Sequence, residues 1–119
     1  MAPLHGPYGS ALAAFDRGQW PQAYALGEQL LAGGRDDAEL RFVVGASALQ
    51  LGNVPAALLH LRRGVELAPA RPDLASQLAR ALIMAGAWQE AVAVADAGMA
   101  LDGLDSQACA TFGVVYVQA

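Results

Sequence analysis

The sequence is poor in the residues that mark several classes of protein. Its 119 residues include a single cysteine, Cys109, which excludes an internal disulfide framework and a multi-cysteine metal site. Only 15% of the residues are charged, the net charge is −4, and no basic cluster exceeds Arg62-Arg63, so nucleic-acid binding is not expected. The apolar runs stop short of the roughly 18 residues of a membrane span. Residues 1–7 lack a secretory pattern, so the expected compartment is the cytoplasm.

Alanine and leucine supply most of the apolar composition, which reaches 55% of the chain, while aromatic residues contribute only 7%. Both are strong helix formers, so the composition predicts an all-α fold. A chain of this length is long enough for one ordinary domain and too short for two.

An internal repeat is the strongest pattern in the sequence. Three glycines recur at intervals of 34 residues, and an alanine follows each of them five residues later. The glycines are Gly18, Gly52 and Gly86, and the alanines are Ala23, Ala57 and Ala91. A fixed interval of this length is typical of helical repeat proteins, in which each repeat gains its core by stacking on its neighbours.

The second unit shows how each period forms two helices. Asp36-Asp37 supplies N-cap candidates for a helix that ends before Gly52, a residue suited to the left-handed conformation after a helix. Pro55 is expected at the first position of the next helix, and Pro69 ends that helix. The short connection makes the two helices antiparallel. Small residues recur where the helices are expected to cross: Gly45, Ala57 and Gly64, then Ala79, Ala91 and Gly98.

These features resemble the tetratricopeptide repeat, a helix-turn-helix unit with small residues at its crossings. Residues 38–71 match best, at the positions Gly45, Gly52, Ala57, Leu61 and Pro69. The resemblance divides the chain into repeats at about 4–37, 38–71 and 72–105, with a partial repeat at 106–119. It implies one domain over residues 1–119, an α-α superhelix or solenoid with six paired helices and a seventh that is unpaired.

The partial fourth unit leads to two further expectations. The sequence stops after one helix of that unit, so we interpret the chain as an N-terminal fragment of a longer protein. The alternative is a short native protein whose last helix docks elsewhere. That helix lacks the polar face of a capping helix, since it carries Phe112, Val114, Val115, Tyr116 and Val117. An uncovered apolar patch of this kind predicts a homodimer through the C-terminal helix, or aggregation.

No residues in the sequence assemble an active site or a cofactor site. His5 and His60 lie 55 residues apart without a metal-ligating partner at helical spacing, and we expect His60 at the surface or boundary. Cys109 occupies a position that the family fills with a large buried residue, which predicts a small buried thiol rather than a nucleophile. The chain is therefore not expected to be an enzyme, or to bind a metal or a cofactor.

The resemblance implies that the first helix of each unit lines a concave binding face. Helical spacing assigns nine residues to that face: Leu12, Phe15, Phe42, Ala46, Leu49, Arg80, Ile83, Met84 and Val114. The face is mostly apolar with one cation, which suits an amphipathic helix or an extended apolar peptide, with Arg80 as the partner of a carboxylate.

We therefore expect a non-catalytic scaffold that binds a protein or a peptide on its concave face. One alternative is the N-terminal substrate-docking arm of a larger enzyme, such as a bacterial glycosyltransferase or sulfotransferase. Another is that the apolar stripe packs against the rest of a parent protein or against a second copy. A third is a secretion-type chaperone, which would need a hydrophobic client. All of these interpretations require equivalent bends at Gly18, Gly52 and Gly86.

Overall fold

The computed structural model describes residues 7–101, 103–104 and 106–118, and these residues form seven α-helices and no strand. In chain order the helices are α1 (Pro7–Asp16), α2 (Trp20–Ala32), α3 (Ala38–Gln50), α4 (Val54–Leu67), α5 (Pro72–Met84), α6 (Trp88–Met99) and α7 (Ser106–Gln118). The predicted all-α class, with three pairs of helices followed by one unpaired helix, is confirmed.

The helices pack as a row of hairpins. Helix α1 pairs with α2, α3 with α4, and α5 with α6, while α7 packs against both α5 and α6. Each second helix also contacts the first helix of the next unit. The row measures 48 × 28 × 25 Å, so it is long in one direction. Because every hairpin packs against its neighbours, the second unit, the third unit and α7 share one large core, and a smaller cluster of Ala14, Ala23 and Val43 joins the first unit to α3.

The bends at Gly18, Gly52 and Gly86 are equivalent, as the sequence predicts. Their φ angles are +73°, +80° and +76°. At each bend the glycine N–H donates to the carbonyl three residues earlier, and the next N–H donates to the carbonyl five residues earlier, at 2.9 to 3.1 Å. This is the Schellman arrangement, which gives the last carbonyls of the first helix their hydrogen bonds and turns the chain into the second.

The helix starts agree with the predicted caps to within one residue. The Asp37 carboxylate accepts a hydrogen bond from the Leu40 N–H at 2.8 Å and caps α3. Pro55 lies at the second position of α4 and not the first, because Val54 opens the helix behind the Asn53 cap. Proline is tolerated there since the first N–H groups of a helix have no acceptor within it.

Glycines at the crossings let large side chains of one helix reach the backbone of another. A Cβ atom at Gly45 of α3 would lie 2.6 Å from Leu61 Cγ of α4, nearer than real Cβ contacts. At Gly98 of α6, a Cβ atom would overlap the ring of Phe112 of α7, which is fully buried. Glycine is therefore required at both positions by the space available.

Replacing Gly98 by valine is expected to destabilise the fold by about 1–3 kcal/mol, because the added methyls overlap the Phe112 ring. Gly113→Ala is the matched control in the partner helix. A Cβ at Gly113 meets nothing within 4 Å, so this change is expected to gain up to about 1 kcal/mol of helix propensity. Urea unfolding followed by circular dichroism measures both variants. Equal effects of the two changes would contradict the packing assigned to Gly98.

Ser47 of α3 carries a fully buried hydroxyl without a hydrogen-bond partner in the described part of the chain. Alanine stands 34 residues before and after it, as Ala13 and Ala81. Ser47→Ala is therefore expected to raise the free energy of unfolding by about 1 kcal/mol, since an unsatisfied buried hydroxyl is costly. The control is Ser76→Ala, because the buried Ser76 hydroxyl does donate to the Asp73 carbonyl at 3.1 Å. Urea unfolding measures the stability of both variants. A Ser47→Ala variant that is less stable than Ser76→Ala would contradict this account.

Candidate functional site

The residues assigned to the concave face lie on α1, α3, α5 and α7, the first helices of the four units. Seven of the nine keep accessible surface. Met84 and Val114 are exposed, at 54% and 48%. The half-buried ones are Leu12, Phe15, Phe42, Arg80 and Ile83.

Ala46 and Leu49 correct the predicted set, because both are buried, at 5% and 4% exposed. Leu49 belongs to the core that also contains Leu78 and Leu82 of α5. Helix α3 packs against α5 as well as against its own partner α4, and Leu49 lies in the core shared by these helices. Both buried positions offer little surface to a ligand.

A pocket between α5 and α7 brings four of the predicted residues together. Its volume is about 350 Å³, and its lining residues are Arg80, Ile83, Met84, Ala110, Thr111 and Val114. The site prediction missed Thr111, although its spacing of three residues from Val114 places both on one side of a helix. The pocket is therefore an apolar cleft with one guanidinium at its wall.

Arg80 differs from most arginines of the chain in its pairing. Five of the seven arginines form ion pairs with carboxylates: Arg35, Arg41, Arg62, Arg63 and Arg71. Arg80 has no ion pair with any described residue, and only Arg17 shares that property. Arg80 is a half-buried residue beside apolar walls, a setting in which a charge-assisted hydrogen bond to a carboxylate is stronger than in water.

Aromatic residues form a second accessible cluster on α1 and α3. Phe15 packs edge-to-face against Trp20 and Phe42, with ring centroids 5.3 and 5.7 Å away. The guanidinium of Arg71 lies 5.7 Å from the Phe42 ring centroid. Arg71 also pairs with the Asp73 carboxylate, and this hydrogen bond is the largest cause of the raised pKa of Arg71. The half-buried Phe15 and Phe42 therefore lie beside a cation that is already paired with a carboxylate.

His60 is buried at 4% exposed, which corrects the predicted surface or boundary position. Its Nδ1 lies 2.9 Å from Arg41 Nη1, and its Nε2 lies 2.7 Å from Glu28 Oε2. A guanidinium only donates, so Nδ1 accepts from Arg41 and the Nε2–H donates to Glu28. The ring of Tyr24 stands edge-on to the imidazole at 6.3 Å. His60 therefore ties α2, α3 and α4 together and is not presented to a ligand.

Asp36, which precedes α3, adds a carboxylate to this hydrogen-bond network. Its carboxylate accepts hydrogen bonds from Arg41 Nε at 2.8 Å and from Arg63 Nε at 3.0 Å. The bond from Arg41 is the largest cause that lowers the pKa of Asp36 from 3.8 to about 2, and Arg63 adds to it. The ionised carboxylate is thus the form that the folded chain stabilises.

A family model described as tetratricopeptide repeat matches residues 48–110, which is more than half of the chain. The chain belongs to the tetratricopeptide repeat (TPR) family. The match covers α4, α5 and α6 entirely and includes the glycine bends at Gly52 and Gly86. No curated protein sequence matches the chain.

Solved structures of other TPR proteins share the fold. YrrB, described as a TPR protein with an unusual peptide-binding site, has a TM-score of 0.83 and 24% identity over 94% of this chain. The chain spans 58% of the YrrB chain. The second TPR domain of human RPAP3, in complex with an HSP70 peptide, has a TM-score of 0.81 and 14% identity over 92% of each chain.

A third similar structure is the Yersinia enterocolitica type III secretion chaperone SycD, in complex with a peptide of the translocator YopD. Its TM-score is 0.81 and its identity is 15%, over 99% of this chain and 95% of SycD. At these identities the likeness establishes the fold, and the bound peptides belong to those proteins.

The sequence singles out two further candidate residues, Cys109 and His5. Cys109 is exposed, which corrects the predicted buried thiol, and His5 lies outside the described residues. Within residues 7–101, 103–104 and 106–118, no group of three metal-ligating side chains could hold a metal ion. None of the helices in that part has both the length and the apolar character required to cross a bilayer.

The stability contributed by Asp36 is expected to depend on pH. Because folding lowers its pKa from 3.8 to about 2, the contribution is complete above 3.8 and is lost as the pH falls through about 2. Asp36→Asn should therefore be less stable than the wild type at neutral pH, and the difference should vanish towards a pH of about 2. Urea unfolding over this range measures the difference.

Asp16→Asn is the control for that experiment, because the exposed Asp16 has no ion pair with a described residue. It should stay close to the wild type at neutral pH. A difference between wild type and Asp36→Asn that stays constant with pH would contradict the role assigned to the Asp36 carboxylate.

Proposed function

We propose that this TPR chain is a non-catalytic scaffold that binds a peptide segment along the concave face formed by its first helices. The observation that carries the proposal is the pocket between α5 and α7. It combines apolar walls from Ile83, Met84 and Val114 with the guanidinium of Arg80, which no described carboxylate neutralises. The pocket is accessible and is lined by side chains from two separate units.

The lining specifies the chemistry of the ligand. An aliphatic side chain would fill the apolar cleft, and a volume of about 350 Å³ is sufficient for one such side chain with its backbone. A carboxylate next to it, from Asp, Glu or a chain terminus, would accept two parallel hydrogen bonds from Arg80. The pocket therefore favours a peptide in which an apolar residue adjoins a negative charge.

The aromatic cluster on α1 and α3 supplies a second point of contact. Phe15 and Phe42 are only half-buried, and a further apolar side chain of an extended ligand would pack against their accessible surface. Two separate contacts along one face fix both the direction and the register of a bound peptide. Similar TPR structures, those of human RPAP3 and of SycD, contain bound peptides and support this use of the fold.

The other interpretations have less support. No observation favours the alternative in which the array is the docking arm of a glycosyltransferase or sulfotransferase. The predicted cytoplasmic compartment, the homodimer and the absence of nucleic-acid binding stay predictions. Packing of the apolar stripe against a second copy is tested by the same variants, because a second copy would cover the pocket.

The proposal predicts a charge-dependent loss of binding in Arg80→Ala. Peptides selected from a displayed library of short random sequences should carry an acidic group beside an apolar residue. Arg80→Ala should weaken the binding of such a peptide about tenfold or more, through the loss of charge-assisted hydrogen bonds. Fluorescence anisotropy with the labelled peptide measures the dissociation constants. Arg17→Ala is the matched control, because it removes the other arginine without an ion pair to a described residue.

Val114→Glu tests the apolar wall of the same pocket. It places a carboxylate at an exposed position of α7, so the fold is expected to persist while the selected peptide is repelled. Circular dichroism verifies the fold. Unchanged affinity in both Arg80→Ala and Val114→Glu, with the fold intact, would contradict the proposed function.

A further inference from the structure

Two of the three methionines lie within the described residues, and both are exposed: Met84 at the end of α5 and Met99 at the end of α6. An exposed thioether is accessible to oxidants, which turn this apolar side chain into a polar sulfoxide. Met84 lines the pocket between α5 and α7, which we call the Arg80 pocket, and Met99 does not. Oxidation is therefore expected to alter the pocket through Met84.

Met84 and Arg80 are neighbours on one side of α5. They are four residues apart, a separation at which the Cβ atoms of a helix lie about 5–6 Å from each other. Long side chains in a helix lean towards its N-terminus, which directs Met84 towards Arg80. Both side chains line the same pocket. An acceptor atom near the end of Met84 would therefore be within reach of the Arg80 guanidinium.

The Arg80 guanidinium has donors available for such an acceptor. It carries several N–H groups, and it forms no ion pair with a residue that the structure describes. The sulfur of reduced Met84 is only a weak acceptor, so it leaves these donors available to a ligand. A sulfoxide oxygen carries a partial negative charge and is a much stronger acceptor. At the matching position before Met99 stands Ala95, whose side chain has no donor.

The repeat register sets Met84 apart from its equivalents. At intervals of 34 residues these equivalents all carry a polar acceptor: Asp16, Gln50 and Gln118. The equivalents of Arg80 are all uncharged: Leu12, Ala46 and Val114. The third unit alone thus combines a cation with an oxidisable apolar residue one helical turn later. Oxidation would give that residue the polar character that the other units have at the same position.

We propose that Met84 is a modification site at which hydrogen peroxide inactivates the Arg80 pocket. A lone pair of the thioether sulfur attacks one peroxide oxygen, so an S–O bond forms as the O–O bond breaks. The proton on the transferred oxygen moves to the departing hydroxide, which leaves as water. The sulfur is oxidised by two electrons and the peroxide is reduced by two. The sulfoxide oxygen then accepts a hydrogen bond from Arg80 in the place of the ligand carboxylate.

This regulation rests on the proposed function, because it acts on the same pocket. Two effects lower the affinity for an acidic peptide. The guanidinium is occupied by the sulfoxide, and a polar group replaces part of the apolar wall beside Ile83 and Val114. The modification is reversible, since methionine sulfoxide reductases restore the thioether. The reduced chain therefore binds the peptide, and the oxidised chain releases it.

The test compares peptide binding before and after peroxide treatment of the full chain. All proteins carry Cys109→Ser, so that oxidation of the exposed thiol does not contribute. Catalase removes the peroxide, and mass spectrometry verifies the sulfoxide at Met84. Fluorescence anisotropy with the peptide selected for Arg80-dependent binding should then show affinity weakened about tenfold or more, since a charge-assisted hydrogen bond to the ligand is lost. Treatment with reductases for both sulfoxide epimers should restore the affinity.

Met84→Leu and Met99→Leu are the matched controls. Peroxide does not oxidise leucine, so treatment should leave the affinity of Met84→Leu at its own untreated value. Met99→Leu keeps Met84 and should lose as much affinity on oxidation as the chain with both methionines. Arg80→Ala should lose less affinity on oxidation than the chain with Arg80, because the sulfoxide then has no guanidinium to occupy.

The contact between the sulfoxide and Arg80 also has a readout that requires no peptide. In ¹⁵N-labelled protein, the Nε–H resonance of Arg80 should shift on oxidation, and the shift should be absent in Met84→Leu. Circular dichroism should show unchanged helix content, because Met84 is exposed and lies outside the core.

Three results would overturn this inference and leave the proposed function intact. The first is a chain oxidised at Met84 that binds the peptide as tightly as the reduced chain, while Arg80→Ala weakens binding. The second is an equal loss of affinity in oxidised Met84→Leu, and the third is an Arg80 resonance that oxidation does not shift. A reduced chain without Arg80-dependent binding would overturn the proposed function and this regulation together, so the two failures are distinguishable.

Discussion

The structure depends on helix crossings at which one backbone carries no side chain and the other helix supplies a large one. Leu61 over Gly45 joins the two helices of the second unit, and Phe112 over Gly98 attaches α7 to the third. Each contact buries apolar surface and also fixes the distance between two axes, because a fully buried ring or leucine tolerates little displacement. These crossings also set the positions of α1, α3, α5 and α7 relative to one another. The candidate binding side chains on those helices are therefore positioned by crossings to which they do not themselves contribute.

A polar network supplies directional contacts that hydrophobic burial lacks. Glu28, His60, Arg41 and Asp36 are linked by hydrogen bonds of 2.7 to 2.9 Å across three helices. Apolar packing alone permits small changes in register, whereas a buried imidazole with both ring nitrogens bonded accepts one arrangement. The first two units are therefore held in a single relative position, which in turn fixes the aromatic cluster of Phe15 and Phe42.

The fold was largely predictable from the sequence, and the site only in part. Gly18, Gly52 and Gly86 determine the bends locally, so their spacing was sufficient. Leu49 and Ala46 were misplaced because their burial depends on contact between first helices of adjacent units, which periodicity within one helix does not report. His60 was misplaced because its partners Glu28 and Arg41 are 32 and 19 residues away. Cys109 was misplaced because burial at its repeat position requires a partner helix.

The polar network joins the first two units, while α7 packs against α5 and α6 and donates a hydrogen bond from the Tyr116 hydroxyl to the Asp96 carboxylate of α6 at 2.7 Å. In a repeat array each element is stabilised mainly by its nearest neighbours, so local opening can detach α7 from α5 and α6 while the rest of the array stays folded. The same helix contributes one wall of the Arg80 pocket. A ligand seated there would bridge α5 and α7 and oppose that detachment, so occupancy and the ordering of the last helix are thermodynamically linked.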